Sequence, residues 1–204
     1  MRVRRIALPM ILSLGMLLGM STSAFGGEQD VAESPDKAKR TLESDRREQI
    51  LQQDPDLAGS ISGDTYEVGM DSEAISPLTA FGEDVTSSQA AATTCRRTTA
   101  WVRSTTLLGF TAYKYNQHIY WCTDGVNVHT TGERYDFMSE VDPNFYYRER
   151  TADSVSAVPS SDVESFMQGR VENCVIKYGC IGNEYPSVKI IMRGNGTSSY
   201  EAWV

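Results

Sequence analysis

The first 94 residues of this 204-residue chain contain no cysteine and no tryptophan, and the whole chain has only two histidines. It also lacks the GxGxxG and P-loop glycine patterns, the HExxH zinc motif and the GxSxG nucleophile motif. Those motifs cradle phosphates, bind zinc or expose a nucleophile. Their absence argues against nucleotide-dependent enzymes, zinc peptidases and α/β-hydrolases.

Concentrated positive charge is also missing. Residues 27–94 hold fifteen acidic and five basic side chains, and residues 95–204 hold twelve acidic and eleven basic ones. A near-neutral domain beside an acidic segment repels phosphate, so the sequence predicts no nucleic-acid partner.

The first 26 residues have the layout of a secretory signal peptide. Arg2, Arg4 and Arg5 precede a fifteen-residue apolar run over 6–20, and Ala24 and Gly26 suit a cleavage site after Gly26. The run is shorter than the roughly 20 apolar residues that span a bilayer. The pattern predicts a secreted, extracellular protein with no membrane segment after cleavage.

Residues 27–94 are acidic and contain only two aromatic side chains. Such a composition buries too little apolar surface to offset the entropy of ordering, so it predicts a disordered acidic segment or a removable pro-segment. Ser34-Pro35 is typical of a helix start, and Asp54-Pro55 is typical of a helix end. We therefore expect one short helix between them.

Residues 95–204 are predicted to form the folded domain. Its cysteines (Cys95, Cys122, Cys174 and Cys180) lack zinc-ribbon spacing, so in a secreted chain they predict two disulfides. Three pairings are open. Cys174–Cys180 is disfavoured if both cysteines lie on one straight strand, because positions six apart are then about 20 Å apart.

The domain's alternating apolar pattern indicates an all-β fold of about seven strands, either an antiparallel β-sandwich or a small open barrel. The predicted strands are 98–104, 107–122, 126–137, 144–150, 169–181, 185–193 and 197–204. Polar residues 151–169 are predicted to form a long loop with one helical turn.

The hairpin over 115–133 carries both histidines. A two-residue turn at Asp124-Gly125 would put His118 and His129 on one face near Glu133, a set that could bind zinc or copper. A three-residue turn would put the histidines on opposite faces. Two histidines on a polar strand face are more often solvated than metal ligands.

Two other groups of side chains, one aromatic and one acidic, bear on function. Phe145, Tyr146 and Tyr147 place neighbouring rings on both faces of one strand, so at least one ring is a candidate for binding a glycan or a protein. The acidic residues around the hairpin, Glu133 and Asp136 among them, are expected to be solvated surface charges.

Two stretches, LLGFTAYKYNQHIYWCTDGVNV (107–128) and CVIKYGCIGNEYPSVKIIMRGNGTSSY (174–200), resemble a recurrent type of small secreted bacterial protein of unknown function. The shared features are a Trp-Cys before an Asp-Gly turn, a Gly-Cys pair and a Gly-rich C-terminal hairpin. The resemblance covers residues 95–204 and implies an all-β secreted fold. It implies no functional residues.

Without catalytic motifs, the sequence favours a secreted, non-enzymatic binding module for an extracellular protein or a cell-surface glycan, with no cofactor. One alternative is a metal-dependent or hydrolytic enzyme that uses the 115–133 hairpin. A second is an enzyme inhibitor that presents residues 151–169 as a rigid loop.

Overall fold

The computed structural model describes residues 35–76 and 94–204, with side chains from residue 43 onward. The expected signal peptide (1–26) and parts of the expected acidic segment (27–34 and 77–93) lie outside the described residues. The elements are helix α1 (Pro35–Gln53), a 3-10 helix (Pro55–Gly59) and strands β1 (Ser62–Ile75), β2 (Thr94–Thr106), β3 (Thr111–Thr123), β4 (Val128–Ser139), β5 (Phe145–Val155), β6 (Asp162–Val175), β7 (Gly179–Glu184), β8 (Ser187–Arg193) and β9 (Ser198–Trp203).

The strands form two antiparallel sheets. The first sheet has the order β1-β2-β3-β4, and the second has the order β5-β6-β8-β9. Strands β7 and β8 pair with successive halves of β6. The all-β prediction is confirmed, with nine strands among the described residues. No ladder between those strands closes the two sheets into a barrel.

The core lies between the two sheets. One cluster of buried side chains draws members from both, including Tyr115 and Trp121 of β3 and Val163 and Val171 of β6. Burial alternates along β2 and β6, so every second side chain points into the core. Because side chains alternate across a strand, this pattern gives each sheet one inner and one outer face.

The folded domain begins well before residue 95, where the sequence placed its start. Strand β1 pairs along β2 from Tyr66 opposite Ser104 to Ile75 opposite Cys95. The acidic side chains of β1 face a basic strand: Glu67 pairs with Arg103. Local composition placed the start of the domain too late, because the acidic charges of β1 are neutralised by basic residues of β2 and not within β1 itself.

The helix predicted after Ser34-Pro35 is confirmed over Pro35–Gln53 and docks against the domain. Ile50 joins a buried cluster with Ile61, Val175 and Ile181. Arg46 also donates hydrogen bonds to two carbonyl oxygens near the β6–β7 hairpin. The helix is therefore held by the domain as well as by its own backbone.

The predicted long loop over 151–169 is wrong. Strand β5 continues to Val155 and β6 begins at Asp162, with Val155 opposite Ser165. The charged residues of β6 occupy its outer face, while Val163, Ser165 and Met167 are fully buried. The polar composition of this segment suggested a loop because half of the side chains of each strand face solvent. The enzyme-inhibitor alternative therefore loses the long loop on which it rested.

Two disulfides are present, Cys95–Cys122 and Cys174–Cys180, and no cysteine is free. The expectation against Cys174–Cys180 is wrong. The predicted single strand over 169–181 turns back on itself at residues 176–178, so the two cysteines lie opposite each other on β6 and β7, with Cα atoms 3.7 Å apart.

Gly194 is packed against the backbone of the β3–β4 connection. A Cβ atom there would lie 1.8 Å from the Val126 carbonyl oxygen. Gly194→Ala should lower the free energy of unfolding by about 3 kcal/mol, the upper range for overpacking. Gly182→Ala is the control, because a Cβ at Gly182 meets nothing within 4 Å. Chemical denaturation should show a change within about 0.5 kcal/mol for the control, and equal losses would contradict the prediction.

Candidate functional site

A cleft of about 680 Å³ opens where β1, the edge strand of the first sheet, approaches β7 and β9 of the second. Helix α1 forms one wall through Glu43 and Arg47, and the chain over 62–66 lines another. Its volume lies in the range of small-molecule sites. Because it lies between two sheets and a helix, rigid elements form its walls.

A local irregularity in β1 shapes this cleft. The pairing of β1 with β2 shifts between Ser62 and Tyr66. A Cβ atom at Gly63 would lie 2.8 Å from the Thr106 carbonyl oxygen, so the close approach requires glycine. Such bulges bend a strand and redirect side chains.

Three partly exposed aromatic side chains line the cleft: Tyr66 of β1, Tyr185 after β7, and Trp203 of β9. The Trp203 ring stacks on Phe166 at a centroid distance of 5.9 Å and an interplanar angle of 17°. This stacking fixes the orientation of the indole. The cleft therefore offers oriented ring surface beside polar groups.

The polar centre of the cleft is Glu184, the last residue of β7. It lies opposite the buried Val171, and therefore on the inner face of the second sheet. Its Oε2 accepts hydrogen bonds from Ser104 Oγ at 3.2 Å and from the Tyr113 hydroxyl. Its Oε1 is buried and has no hydrogen-bond partner among the described residues. An unsatisfied buried carboxyl oxygen is costly unless another group bonds to it.

Burial also sets the protonation of this pair. Burial raises the pKa of Glu184 above its ordinary value, even though hydrogen bonds from Tyr113 and Ser104 favour the ionised form. Burial, together with the nearby Glu184 charge, raises the pKa of Tyr113 well above 10, so its hydroxyl stays protonated. Tyr113 therefore serves as a fixed donor to the carboxyl.

Arg47 is the basic side chain in the part of the cleft that the structure describes. Its Nη1 donates to the Ser62 carbonyl oxygen at 3.1 Å and lies 4.0 Å from Asp64 Oδ1. Both contacts are made by Nη1 and reach residues of β1. Its role is to hold α1 against the start of the sheet.

The predicted hairpin registers at Asp124-Gly125 are both wrong. Thr123 pairs with Val128, so residues 124–127 form a four-residue connection. Asp124 Oδ1 accepts from the backbone N–H groups of Val126 and Asn127 at 2.8 and 2.7 Å. This side-chain turn competes with the tighter hairpin turns that the Asp-Gly pair favours.

The two histidines have separate partners. His129 lies in the exposed hairpin end and its Nε2 is 2.7 Å from Asp124 Oδ2. His118 is buried opposite Tyr135, with its Nδ1 2.8 Å from Thr99 Oγ1. Burial and the charge of Arg97 lower the pKa of His118, so its imidazole is neutral at pH 7.

The proposed metal set of His118, His129 and Glu133 does not converge. Among the described residues, the group of three or more potential ligands whose donor atoms lie within 4.8 Å of one another is Glu172, Cys174 and Cys180. Both cysteines of that group are consumed in a disulfide. Neither set offers a preformed metal site.

The predicted binding aromatics fall in different environments. Phe145 is buried in the core, 5.7 Å from the Tyr113 ring. Tyr146 is exposed beneath the guanidinium of Arg148. Tyr147 is partly exposed and donates to Asp136 Oδ2. Of these three residues, Tyr146 is the one whose hydroxyl bonds to none of the described groups. It lies outside the cleft.

The cleft residues were missed by sequence reasoning. Glu184 lies at an inward position of β7, whereas the predicted strand ended at residue 181 and left Glu184 between two predicted strands. Trp203 and Tyr66 lie more than a hundred residues apart, and only the sheet topology brings them to one cleft. A glutamate flanked by Asn183 and Tyr185 gave no signal that distinguished it from a surface acid.

No known protein family, curated protein or solved structure matches this chain. In the part of the chain that the structure describes, no helix is long and apolar enough to cross a membrane.

Proposed function

We propose that this protein is a secreted binding module that holds an extracellular glycan in the Glu184 cleft. The observation that carries the proposal is a buried carboxyl oxygen, Glu184 Oε1, which has no hydrogen-bond partner among the described residues and lies in a cleft lined by three aromatic side chains. A sugar presents an apolar ring face and many hydroxyl donors on one small molecule. The cleft offers the complementary groups.

The aromatic part of the cleft suits the faces of sugar rings. Tyr and Trp give large contact area at low cost in side-chain entropy. Trp203 is already held by Phe166, so little further ordering is needed on binding. Trp203 lies across Ser187 from Gln168 in the sheet, so a ligand ring that stacks on Trp203 would lie beside Gln168.

The polar part suits hydroxyl groups. Glu184 Oε1 can accept a hydrogen bond, and Gln168 lines the same cleft with its amide fixed by Ser187 and Thr151. The cleft lining is mixed, with three aromatic side chains among mostly polar ones, which suits a ligand that carries many hydroxyl groups. Two disulfides agree with an oxidising, extracellular environment.

The test is titration of the full, oxidised chain with three soluble tetrasaccharides, made of glucose, N-acetylglucosamine or glucosamine. We expect at least one of them to bind. Isothermal titration calorimetry and tryptophan emission measure the binding. Trp203→Ala should weaken that binding about tenfold, equivalent to about 1.4 kcal/mol. Stacking contacts of this kind contribute energies of that order.

Tyr146→Ala is the matched control, since Tyr146 is a similarly exposed aromatic residue outside the cleft. It should bind as the wild type does. Thermal unfolding of each variant separates loss of the site from loss of the fold. Binding of none of the three tetrasaccharides, or equal weakening by both substitutions, would overturn the proposal.

A further inference from the structure

The charge of the cleft is unbalanced. Glu43, Asp64 and Glu184 line it, against the single guanidinium of Arg47 among the described lining residues. That guanidinium is directed at the Ser62 carbonyl oxygen and lies 4.0 Å from Asp64. Among its described lining residues, the cleft therefore has three carboxyl groups and one basic group.

Glu184 gives this surplus a specific position. Both donors to its carboxyl, Ser104 and Tyr113, are neutral hydroxyls, and both bond to Oε2. Oε1 receives no hydrogen bond from the described residues. A hydrogen bond from a charged donor to a carboxylate is roughly twice as strong as one from a neutral donor. The best complement to Oε1 is a cationic N–H group.

The aromatic walls fit the same chemistry. A cation over the face of a tyrosine or tryptophan ring is attracted to it, most strongly where water is partly excluded. Tyr66 and Trp203 line the cleft with Asp64 and Glu184. An ammonium group carries three donors and can meet a carboxylate and a ring at once.

We infer that the cleft selects glycans that carry free primary amino groups, with the ammonium group directed at Glu184. The inference rests on the proposed glycan-binding function and adds the chemical class of the ligand. An N-acetylated sugar has the same ring but a neutral amide, so it lacks the charge that the carboxyls would recognise.

The experiment compares the glucosamine tetramer with the N-acetylglucosamine tetramer on the full, oxidised chain at pH 6 and low salt. We expect the amino form to bind at least tenfold more tightly. The preference should shrink as sodium chloride is raised, because exposed carboxylates such as Asp64 are screened. Glu184→Gln should remove most of the preference, measured as the ratio of the two dissociation constants. It should also weaken binding of the N-acetylated form, because Glu184 Oε1 is an acceptor of the proposed glycan site.

Two further variants keep the result interpretable. Asp64→Asn alters a side chain that is 95% exposed, so it should reduce the preference without affecting folding. Glu133→Gln makes the same chemical change as Glu184→Gln at an exposed residue outside the cleft and should change nothing.

The outcomes separate the two proposals. If no tetrasaccharide binds, the glycan-binding function itself fails. If the two forms bind equally, the glycan-binding function stands and the selection for amino groups is wrong. A preference that survives both Glu184→Gln and Asp64→Asn would also overturn the inference, because the charge would then act elsewhere.

Discussion

Replacing Asp136 with alanine should lower the free energy of unfolding by about 3–5 kcal/mol, the range for removing one partner from a buried ion pair. The Asp136 side chain is only 3% exposed. Its Oδ1 accepts from Arg150 Nε at 2.8 Å, and its Oδ2 accepts from the hydroxyls of Tyr115 and Tyr147 at 2.9 and 2.7 Å. Alanine would remove one of the two carboxylate partners of Arg150 and would leave the hydroxyls of Tyr115 and Tyr147 without their acceptor.

The loss should be large because Asp136 joins the two sheets. Asp136 lies on β4 and Tyr115 on β3 of the first sheet, whereas Tyr147 and Arg150 lie on β5 of the second. Arg150 also donates to Asp153 at 2.6 Å, so its position depends on two carboxylates. Breaking one carboxylate contact therefore weakens a link between sheets rather than a single surface pair.

Asp162→Ala is the control for this prediction. Asp162 is 63% exposed, and its nearest contact to Arg193 is 3.8 Å. Exposed pairs of this kind contribute about 0–1 kcal/mol. Denaturation in guanidinium chloride, followed by tryptophan emission, measures both variants. Similar losses at the two sites would show that burial of Asp136 does not strengthen its interactions.

The same network predicts sensitivity to acid. Burial alone would raise the pKa of Asp136, but hydrogen bonds from Arg150, Tyr147 and Tyr115 outweigh it and lower the pKa below the ordinary value. A carboxyl with a lower pKa in the folded state contributes stability above the unfolded pKa of about 3.9, and loses it as the pH falls through the folded pKa. Asp136→Asn should flatten the stability profile below about pH 4.

Regular alternation made much of the fold predictable. Val102 and Trp121 occupy inward positions of strands that the sequence had already marked, and both are fully buried. The helix over Pro35–Gln53 was predictable because its ends carry proline signals. In each case a local rule and the tertiary structure agree.

The predictions failed where partners were distant in sequence. Asp136 was expected to be a solvated acid, yet rings and a guanidinium from three other positions bury it. Strand β1 was assigned to an acidic segment because its pairing with Arg97 and Arg103 cannot be read from its own composition. The Glu184 cleft was missed for the same reason, since five strands and a helix contribute residues to it.

Turns limited the prediction in a different way. Reading 169–181 as one strand separated Cys174 from Cys180, although residues 176–178 form a turn. Gly179 takes a φ of 71°, which glycine adopts without strain. The sequence carried this signal, a glycine directly before a cysteine, but continuous apolar residues on both sides concealed it.

The two disulfides should contribute unequally to stability. Chain-entropy arguments predict a loss of about 3.5 kcal/mol when a 27-residue loop is no longer closed, and about 2 kcal/mol for a 6-residue loop. Cys95 and Cys122 are also buried, so their removal opens space in a packed region, whereas Cys180 is exposed. We expect Cys95→Ala/Cys122→Ala to be the more destabilising double substitution.

Denaturation of both double variants tests this order, with each compared with the oxidised wild type. Peptide mapping without reductant should first recover the Cys95–Cys122 and Cys174–Cys180 linkages. A larger loss of unfolding free energy for Cys174→Ala/Cys180→Ala would contradict the expected order. It would mean that the Cys174–Cys180 disulfide stabilises the β6–β7 hairpin more than the length of its closed loop implies. The docking of α1 supplies a reason to look for that result, because Arg46 donates to the carbonyl oxygens of Tyr178 and Cys180.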